Sequence, residues 1–379
     1  MAQPSPPRRR LATGVPLGRV LGVPVFLSPS TLLLVAFIAL TYTGPNRSTT
    51  PSTPRGYAVA VAFALLLVLS VFLHELGHCV VSQAVGVRVR SITLYMLGGV
   101  TTTESDARDP GRSYLITIAG PLVSLSLAAV GALAARPLGH GGILRELVIQ
   151  LTVVNLLVAG FNMLPGLPLD GGQLVRAGVW RLTGNRTLAT KVAAWAGRGL
   201  AVLVVALAIV MLRRSGSAGY ANLLWSSLLA AFIWAGAGQA IRSADMVDRL
   251  PRLHAGRMAR PVITAPHDLP LAEALRRLAE RGAGGIVVVD STGRPHSIVV
   301  EQAVSGTPVH RRPWVSVSSV ARALDDGLTL PAELSGSEVV EAIQRHPATE
   351  YVVVDRLGAL VGVLSAADVV GALNTAAAR

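Results

Sequence analysis

The sequence predicts an α-helical polytopic membrane domain of about six transmembrane helices with a short membrane-associated β-hairpin, followed by an α/β region built from a repeated unit. Of the 379 residues, 51% are hydrophobic and only 15% are charged, whereas soluble domains carry roughly 25% charged residues. The apolar residues form runs long enough to span a bilayer. The composition becomes that of an ordinary α/β protein after Asp245. We therefore predict a membrane domain over 1–245, a linker over 246–256 and the repeat over 257–379.

Six apolar segments are predicted to span the membrane. The first follows three arginines, as a signal peptide would, but no small-residue cleavage site comes after it, so we expect a retained helix. Lys191 and Arg198 interrupt the start of the fifth, where their long side chains can reach the interface. The predicted spans are 20–41, 57–84, 113–135, 146–166, 192–212 and 220–241.

The distribution of lysine and arginine predicts the orientation of these spans. The N-terminal arm and the loops after the second and fourth spans carry four basic residues each, and the other three loops carry two each. The larger sets are Arg8, Arg9, Arg10 and Arg19; Arg88, Arg90, Arg108 and Arg112; and Arg176, Arg181, Arg186 and Lys191. Basic loops stay in the cytoplasm, so we expect a cytoplasmic N-terminus and a cytoplasmic C-terminal region.

The formal net charge of +13 has the same explanation. The arginines lie in loops between apolar runs, and the sequence contains no motif typical of DNA or RNA binding. We therefore predict no nucleic-acid partner. The single cysteine, Cys79, excludes an intrachain disulfide framework.

The second span contains the sequence His74-Glu75-Leu76-Gly77-His78. Residues four apart lie on one face of a helix, so both imidazoles can bind one metal ion, with Glu75 beside them as a general base. Histidine and glutamate are expensive inside a membrane span and are functional there by default. A structural polar cluster between helices is the alternative. Cys79 points away from this face and is expected to be a small buried thiol.

A catalytic zinc usually has three protein ligands and one open position. Of the eight histidines, only His74 and His78 fall at membrane depth. The other acidic residue at that depth is Asp170, in a segment where Pro165 and Pro168 break the fourth span. His74 lies about 26 Å along a span that crosses a core of about 30 Å, and Asp170 falls at a similar depth. The alternative for Asp170 is a helix cap.

HELGH in one span, paired with the pattern NxxPxxPxDG at a later one, resembles the site-2 protease family of intramembrane zinc metalloproteases. The resemblance implies one Zn²⁺ per chain held by His74, His78 and Asp170, with Glu75 as catalytic acid and base. It places Asn162 beside the substrate or its oxyanion. It also implies cleavage of transmembrane proteins, such as membrane-bound transcriptional regulators, near the cytoplasmic face of a prokaryotic plasma membrane.

Residues 88–104 are predicted to form a β-hairpin near the membrane surface. The segment is rich in β-branched and aromatic residues and turns at Gly98-Gly99. The family resemblance implies that such a segment pairs with an unwound substrate as an added strand. A hairpin that simply rests on the bilayer is the alternative. In the third span, Gly120 and Ser124 have the spacing of small residues at which helices pack closely.

The tail repeats a unit of about 55 residues. It resembles a tandem pair of cystathionine-β-synthase (CBS) domains, and the whole chain resembles the site-2 protease subgroup that carries them. CBS pairs often bind adenine nucleotides, and the second half has the ribose-contacting pattern at Gly362, Ser365 and Asp368. The first half has Val300 and Ala303 instead of the polar residues. Helix capping by Ser365 and Asp368, or a tail that only joins the chain into homo-oligomers, are alternatives.

Two other functions remain open on sequence grounds. Membrane transporters and channels also carry CBS pairs, and a catalytically inactive scaffold would keep the fold. A transporter would tolerate the substitution Glu75→Gln, and neither alternative gives a reason for two histidines four residues apart around a glutamate.

Overall fold

The computed structural model describes residues 14–41, 54–96, 98–139, 142–215, 219–291 and 293–374. The chain divides into two compact units between Arg242 and Ser243. The arginines at 8–10, which contribute to the predicted orientation, and His140 lie outside the described residues.

The first unit is mainly helical. Five of its helices are long and apolar enough to cross a membrane, and the described part of the first helix is a shorter apolar one of 13 residues. These six agree with the predicted membrane domain, and the seventh, α5, is an additional short helix. The helices are α1 (Pro29–Thr41), α2 (Pro54–Ala84), α3 (Pro110–Ala134), α4 (Ile143–Asn162), α5 (Asp170–Thr183), α6 (Arg186–Ser215) and α7 (Gly219–Arg249).

The predicted first span, 20–41, is wrong in its first part. Strands β1 (Val15–Val20) and β2 (Val23–Leu27) pair antiparallel there, and helix α1 begins only at Pro29. Leu21 and Gly22 join the strands with φ angles of 51° and 78°, as a two-residue type I′ turn requires. A short apolar run such as VPVFL does not distinguish a strand from a helix by its periodicity, which explains the error.

The predicted hairpin is confirmed, and it is half of a larger sheet. Strands β3 (Val89–Tyr95) and β4 (Gly98–Thr103) pair antiparallel, and β2 pairs with β3 in parallel, which gives the order β1-β2-β3-β4. One face of the sheet packs on α2 through buried apolar residues that surround Cys79. Cys79 has no exposed surface, as expected for a buried thiol. In the described sheet, β4 is an edge strand.

The chain breaks between α4 and α5, as Pro165 and Pro168 predict. Helix α5 lies where the sequence predicts a loop. Its charged residues give no apolar run, so the sequence does not distinguish this short helix from a loop. The connecting segment lies directly on two glycines: a Cβ atom on Gly197 would come 2.1 Å from the carbonyl oxygen of Leu167, and one on Gly236 would come 2.6 Å from Pro168. The peptide bond between Leu167 and Pro168 is cis. This packing fixes the path of the chain into Asp170.

The second unit contains two similar halves. Each half has a strand, a helix, two antiparallel strands and a final helix, so the predicted repeat is preceded by one further strand in each half. β5 pairs with β6, and β9 with β10, in parallel. The first half comprises β5 (Val262–Pro266), α9 (Leu271–Glu280), β6 (Gly285–Val289), β7 (Pro295–Val299), α10 (Glu301–Ser305) and β8 (Ala321–Ala323); the second comprises β9 (Thr329–Pro331), α11 (Ser337–Arg345), β10 (Glu350–Val354), β11 (Leu360–Ser365) and α12 (Ala366–Asn374).

Residues 246–256, predicted as a linker, are largely helical. α7 continues through Arg249, a 3₁₀ turn covers Leu250–Arg252, and the short helix α8 (Ala255–Met258) follows. The apolar cores of the two halves meet through Val287, Ile298, Val352 and Val363, which makes the second unit one folded body.

The glycine contact beneath the α4–α5 connection gives a first prediction. Gly197→Ala places a methyl group against a backbone carbonyl that cannot move aside by a rotamer change, so we expect a loss of stability of about 1–3 kcal/mol. Gly199→Ala is the matched control, because a Cβ atom there meets nothing within 4 Å. Thermal unfolding of the detergent-solubilised protein measures both. Equal unfolding temperatures for the two variants would contradict the packing described here.

Candidate active site

Three potential metal ligands converge between α2 and the start of α5. The Nε2 atoms of His74 and His78 lie 3.2 Å apart. Oδ2 of Asp170 lies 3.2 Å from the first and 3.4 Å from the second. His74 and His78 are buried, with 4% and 9% of their surfaces exposed, and Asp170 is half-buried. The structure therefore brings the two predicted histidines together with Asp170, which lies 92 positions after His78 in the sequence.

The outer nitrogens of both imidazoles have partners. Nδ1 of His78 lies 2.8 Å from the carbonyl oxygen of Ile116, and Nδ1 of His74 lies 2.9 Å from Oγ of Ser124. A carbonyl oxygen only accepts hydrogen bonds, so Nδ1 of His78 carries the proton and, in the neutral ring, Nε2 keeps its lone pair. Helix α3 thus orients both rings so that their inner nitrogens face Asp170.

A glycine on α3 makes room for the two rings. A Cβ atom on Gly120 would lie 2.2 Å from Nε2 of His78 and 2.6 Å from Nε2 of His74. Any larger residue would occupy the space in which the ligand atoms meet. The predicted close packing at Gly120 and Ser124 is confirmed, and its purpose is more specific than helix contact, since both residues touch the histidines.

These residues fit a zinc ion. Two imidazole nitrogens and one carboxylate oxygen are a donor set that zinc accepts, and three protein ligands leave one position open. All three atoms lie within 4.8 Å of one another, the only such cluster found among the described residues. Because two nitrogen lone pairs and a carboxylate repel one another when they are crowded together, the arrangement requires a bound cation or a proton between them.

Glu75 lies next to this cluster, under the sheet. It is 6% exposed, and its Oε2 accepts a hydrogen bond of 2.7 Å from the hydroxyl of Thr101 on β4. A Cβ atom on Gly99 would come 2.2 Å from Cγ of Glu75. The edge strand therefore touches the glutamate directly, and it can do so only because Gly99 has no side chain.

Asn162 ends α4 close to the same point. Its Nδ2 lies 3.5 Å from Nε2 of His74. The amide is half-buried, so it brings N–H donors to the edge of the cluster. The position agrees with the neighbourhood that the motif implies for it.

The nucleotide pattern lies in the second unit. Oγ of Ser365 accepts a hydrogen bond from the backbone N–H of Ala367, which is the capping alternative noted above. Asp368 forms an ion pair of 2.5 Å with Arg260, and this carboxylate raises the pKa of the Arg260 guanidinium. Both groups are thus engaged within the protein.

The chain is similar to several known proteins. A model of Peptidase family M50 matches residues 62–138 and 136–207, and a model of the CBS domain matches residues 254–304. Protein sll0528 of Synechocystis is 30% identical, with 96% of each chain covered, and Rip3 of Mycobacterium tuberculosis is 32% identical, with 94% of this chain and 91% of that protein covered. Both bear the provisional name zinc metalloprotease. The solved site-2 protease of Methanocaldococcus jannaschii is 27% identical, covers 60% of this chain and 94% of its own, and superposes with a TM-score of 0.44.

The fold and the site define a membrane metallopeptidase, because a buried HExxH motif meets an aspartate between helices that are long enough to span a bilayer. More particularly, the chain belongs to peptidase family M50, as a zinc metalloprotease of the site-2 protease type with a CBS region after its membrane domain. This membership decides for a peptidase over a transporter or channel.

Sequence reasoning missed several residues that support the site. The carbonyl of Ile116 is a backbone group and gives no sequence signal. Thr101 looked like any β-branched residue of a strand, and its contact with Glu75 depends on the packing of the sheet on α2. Ser124 did carry a signal, since a hydroxyl group at membrane depth requires a hydrogen-bond partner.

The hydrogen bond to the outer nitrogen of His74 gives a second prediction. Ser124→Ala removes that partner, so we expect zinc affinity to fall by about 10-fold to 100-fold, as for other groups that orient metal-bound histidines. Ser126→Ala is the matched control, since Ser126 is exposed on the same helix and bonds only to its own helix, at the carbonyl of Leu122. Competition with a chelator measures the affinity. Equal values for the two variants would refute the role of Ser124.

Proposed function

We propose that the protein hydrolyses peptide bonds of transmembrane substrate proteins within the membrane. His74, His78 and Asp170 would hold one zinc ion, with Glu75 as the catalytic acid and base. The observation that carries the proposal is the convergence of three ligand atoms beside a buried glutamate. The glutamate and the two histidines lie on a helix long enough to span the bilayer. A zinc ion bound there supplies Lewis acidity toward a peptide carbonyl and toward water.

The protein's own groups divide the remaining work. The carboxylate of Glu75 takes a proton from the attacking water and returns it to the leaving amine. The Thr101 hydroxyl holds one carboxylate oxygen of Glu75 at 2.7 Å and so fixes its direction. The amide of Asn162 donates to the oxyanion that develops on the substrate carbonyl.

The substrate would bind as an extra strand on β4. The outer edge of β4 carries no partner strand in the described sheet, and the strand contacts Glu75 at Gly99. A transmembrane helix must unwind before it is cut, because its amides are hydrogen-bonded within the helix. Pairing with β4 replaces those bonds by strand hydrogen bonds and places an extended peptide next to the glutamate.

The depth of the site supports cleavage near one face. His74 lies 20 residues after the start of α2 and 10 before its end, or about 30 Å and about 15 Å along the axis. The basic loops support a cytoplasmic position for that end. We therefore propose a protein of a prokaryotic plasma membrane with a cytoplasmic N-terminus and a cytoplasmic CBS pair. Its substrates would include membrane-bound transcriptional regulators, cut in regulated intramembrane proteolysis.

The third prediction tests the chemistry. Glu75→Gln keeps the shape of the side chain but removes its ability to accept a proton, so we expect cleavage of single-span peptides to fall by at least a hundredfold. Zinc content should stay near one per chain. Glu104→Gln is the control, since Glu104 is exposed beyond the end of β4. Mass spectrometry of the products and metal analysis give the two readouts.

Three results would overturn the proposal. Unchanged cleavage by Glu75→Gln would remove the glutamate from the mechanism. Wild-type protein without zinc would refute the ligand assignment, and a protein that binds zinc but cleaves no member of a broad peptide panel would point to an inactive scaffold.

We also propose that the CBS pair binds an adenine nucleotide through the second half and assembles the chain into homo-oligomers. Asp368 would accept hydrogen bonds from the ribose hydroxyls, and Gly362 and Ser365 would border the ligand. Since Asp368 already pairs with Arg260, the ribose must share or replace that contact. Binding would then alter the surroundings of Arg260, which gives a route from the nucleotide to the fold.

The fourth prediction follows from this contact. ATP or AMP at about a hundred times its dissociation constant should stabilise the unit that binds it by about 2.7 kcal/mol. The variant Asp368→Asn should bind the nucleotide at least tenfold more weakly than wild type. Glu341→Gln, at an exposed position of α11, is the control and should keep the affinity of wild type. Titration calorimetry on the full chain measures the nucleotide affinity of each variant. Equal affinities, or no binding by the wild type, would refute the proposed nucleotide site.

A further inference from the structure

The cavity that holds the active site extends beyond the residues used so far. It has a volume of about 290 Å³ and contains Glu75, His78 and Asp170 in its wall. Its lining continues along two elements, from Gly99 to Thr103 on β4 and from Asp170 to Arg176 on α5. Both elements line one cavity with Glu75, His78 and Asp170, so they border space that a bound substrate can occupy.

Arg176 lines the same cavity, six residues after Asp170 on α5. Its Nε is buried and has no hydrogen-bond partner, and the same is true of Oε1 of Gln173, one turn earlier on α5. Burial lowers the pKa of the Arg176 guanidinium; Asp106 opposes this effect and Arg186 adds to it. The side chain therefore lines the cavity with part of its hydrogen-bonding capacity unused.

The charges around Arg176 do not balance. Asp106, which also lines the cavity, lies 2.7 Å from Nη2 of Arg186, although without the angle of a hydrogen bond. That one carboxylate thus faces two guanidinium groups, of which Arg186 is the one in direct contact. A further anion next to Arg176 would complete the pairing and would find a bidentate donor.

The geometry points to a substrate carboxylate as that anion. We propose that Arg176 binds an acidic group of the substrate three to four residues from the cleaved bond. Asp170 and Arg176 are six residues apart, or about 9 Å along a helix. Gly99 and Thr103 are four residues apart, or about 13 Å along a strand. An extended peptide covers these distances in three to four residues. The inference rests on the proposed function, and it names the substrate feature that the site selects.

The test uses single-span peptides that are identical except at the third and fourth residues on either side of the cleaved bond. Each position carries Glu, Gln or Lys, and a further set ends in a free carboxylate at the same place. For wild type, we expect KM to be at least tenfold lower with Glu than with Gln at one of these positions, with little change in kcat. The terminal-carboxylate set shows whether the acid is a side chain or a chain end.

Variants of Arg176 then assign the preference. Arg176→Gln should abolish the difference between Glu and Gln, and Arg176→Glu should prefer Lys. Arg176→Lys should keep a weaker preference for Glu, because an ammonium group cannot form the bidentate contact. Arg181→Gln is the matched control on the exposed face of the same helix and should behave as wild type. Zinc content shows whether each variant keeps the metal centre.

A second readout separates this inference from the proposed reaction. Peptide binding to Glu75→Gln protein, measured as a dissociation constant, needs no turnover and should show the same preference for Glu. If the ratio of the KM values for the Glu and Gln peptides is the same in wild type and in Arg176→Gln, the role of Arg176 is overturned. The protease activity would still stand in that case. Absence of cleavage with a preserved binding preference would overturn the reaction and leave Arg176 as a carboxylate site. Absence of a charge preference in both measurements would overturn the inference.

Discussion

The structure depends on the meeting of two imidazoles and one carboxylate at a single point inside a helical bundle. Polar groups are costly at membrane depth, so each must be held by something other than its own helix. The two rings lie against α3, which supplies a hydroxyl, a carbonyl and a glycine without a side chain. The aspartate comes from a connection that rests on glycines of α6 and α7. The cluster thus depends on the positions of α2, α3, α6, α7 and the connection into α5.

That arrangement requires close packing, and glycine residues make the close packing possible. Gly120, Gly197 and Gly99 each stand where a methyl group would collide with a histidine ring, a backbone carbonyl or Glu75. Through these contacts α3 lies against His74 and His78, and β4 lies against Glu75. Helix α6 lies against the segment that leads into Asp170. Stability and catalysis therefore draw on the same positions, and changes there are expected to affect both.

The sequence identified the residues that meet in the cluster, and it predicted the overall fold class but not every element around the cluster. His74, Glu75 and His78 share one helix, so their arrangement follows from helical periodicity. Asp170 could be found because few acids fall at membrane depth. In contrast, the sequence predicts residues 20–27 as the start of a span, although they form the turn after β1 and strand β2. It also predicts a loop where α5 lies. The parallel pairing of β2 with β3 joins segments more than 60 residues apart, and local patterns carry no signal for such contacts.

The pairing of β2 with β3 has a practical consequence for work with this protein. The sheet that borders Glu75 is completed by residues 15–27 near the start of the chain. A truncation that removes them would expose the edge of β3 that β2 covers in the intact sheet. Shortened forms of the protein would thus offer peptides a competing strand edge next to β4, and assays on them would report on an altered surface. Affinity tags are better placed at the other end of the chain.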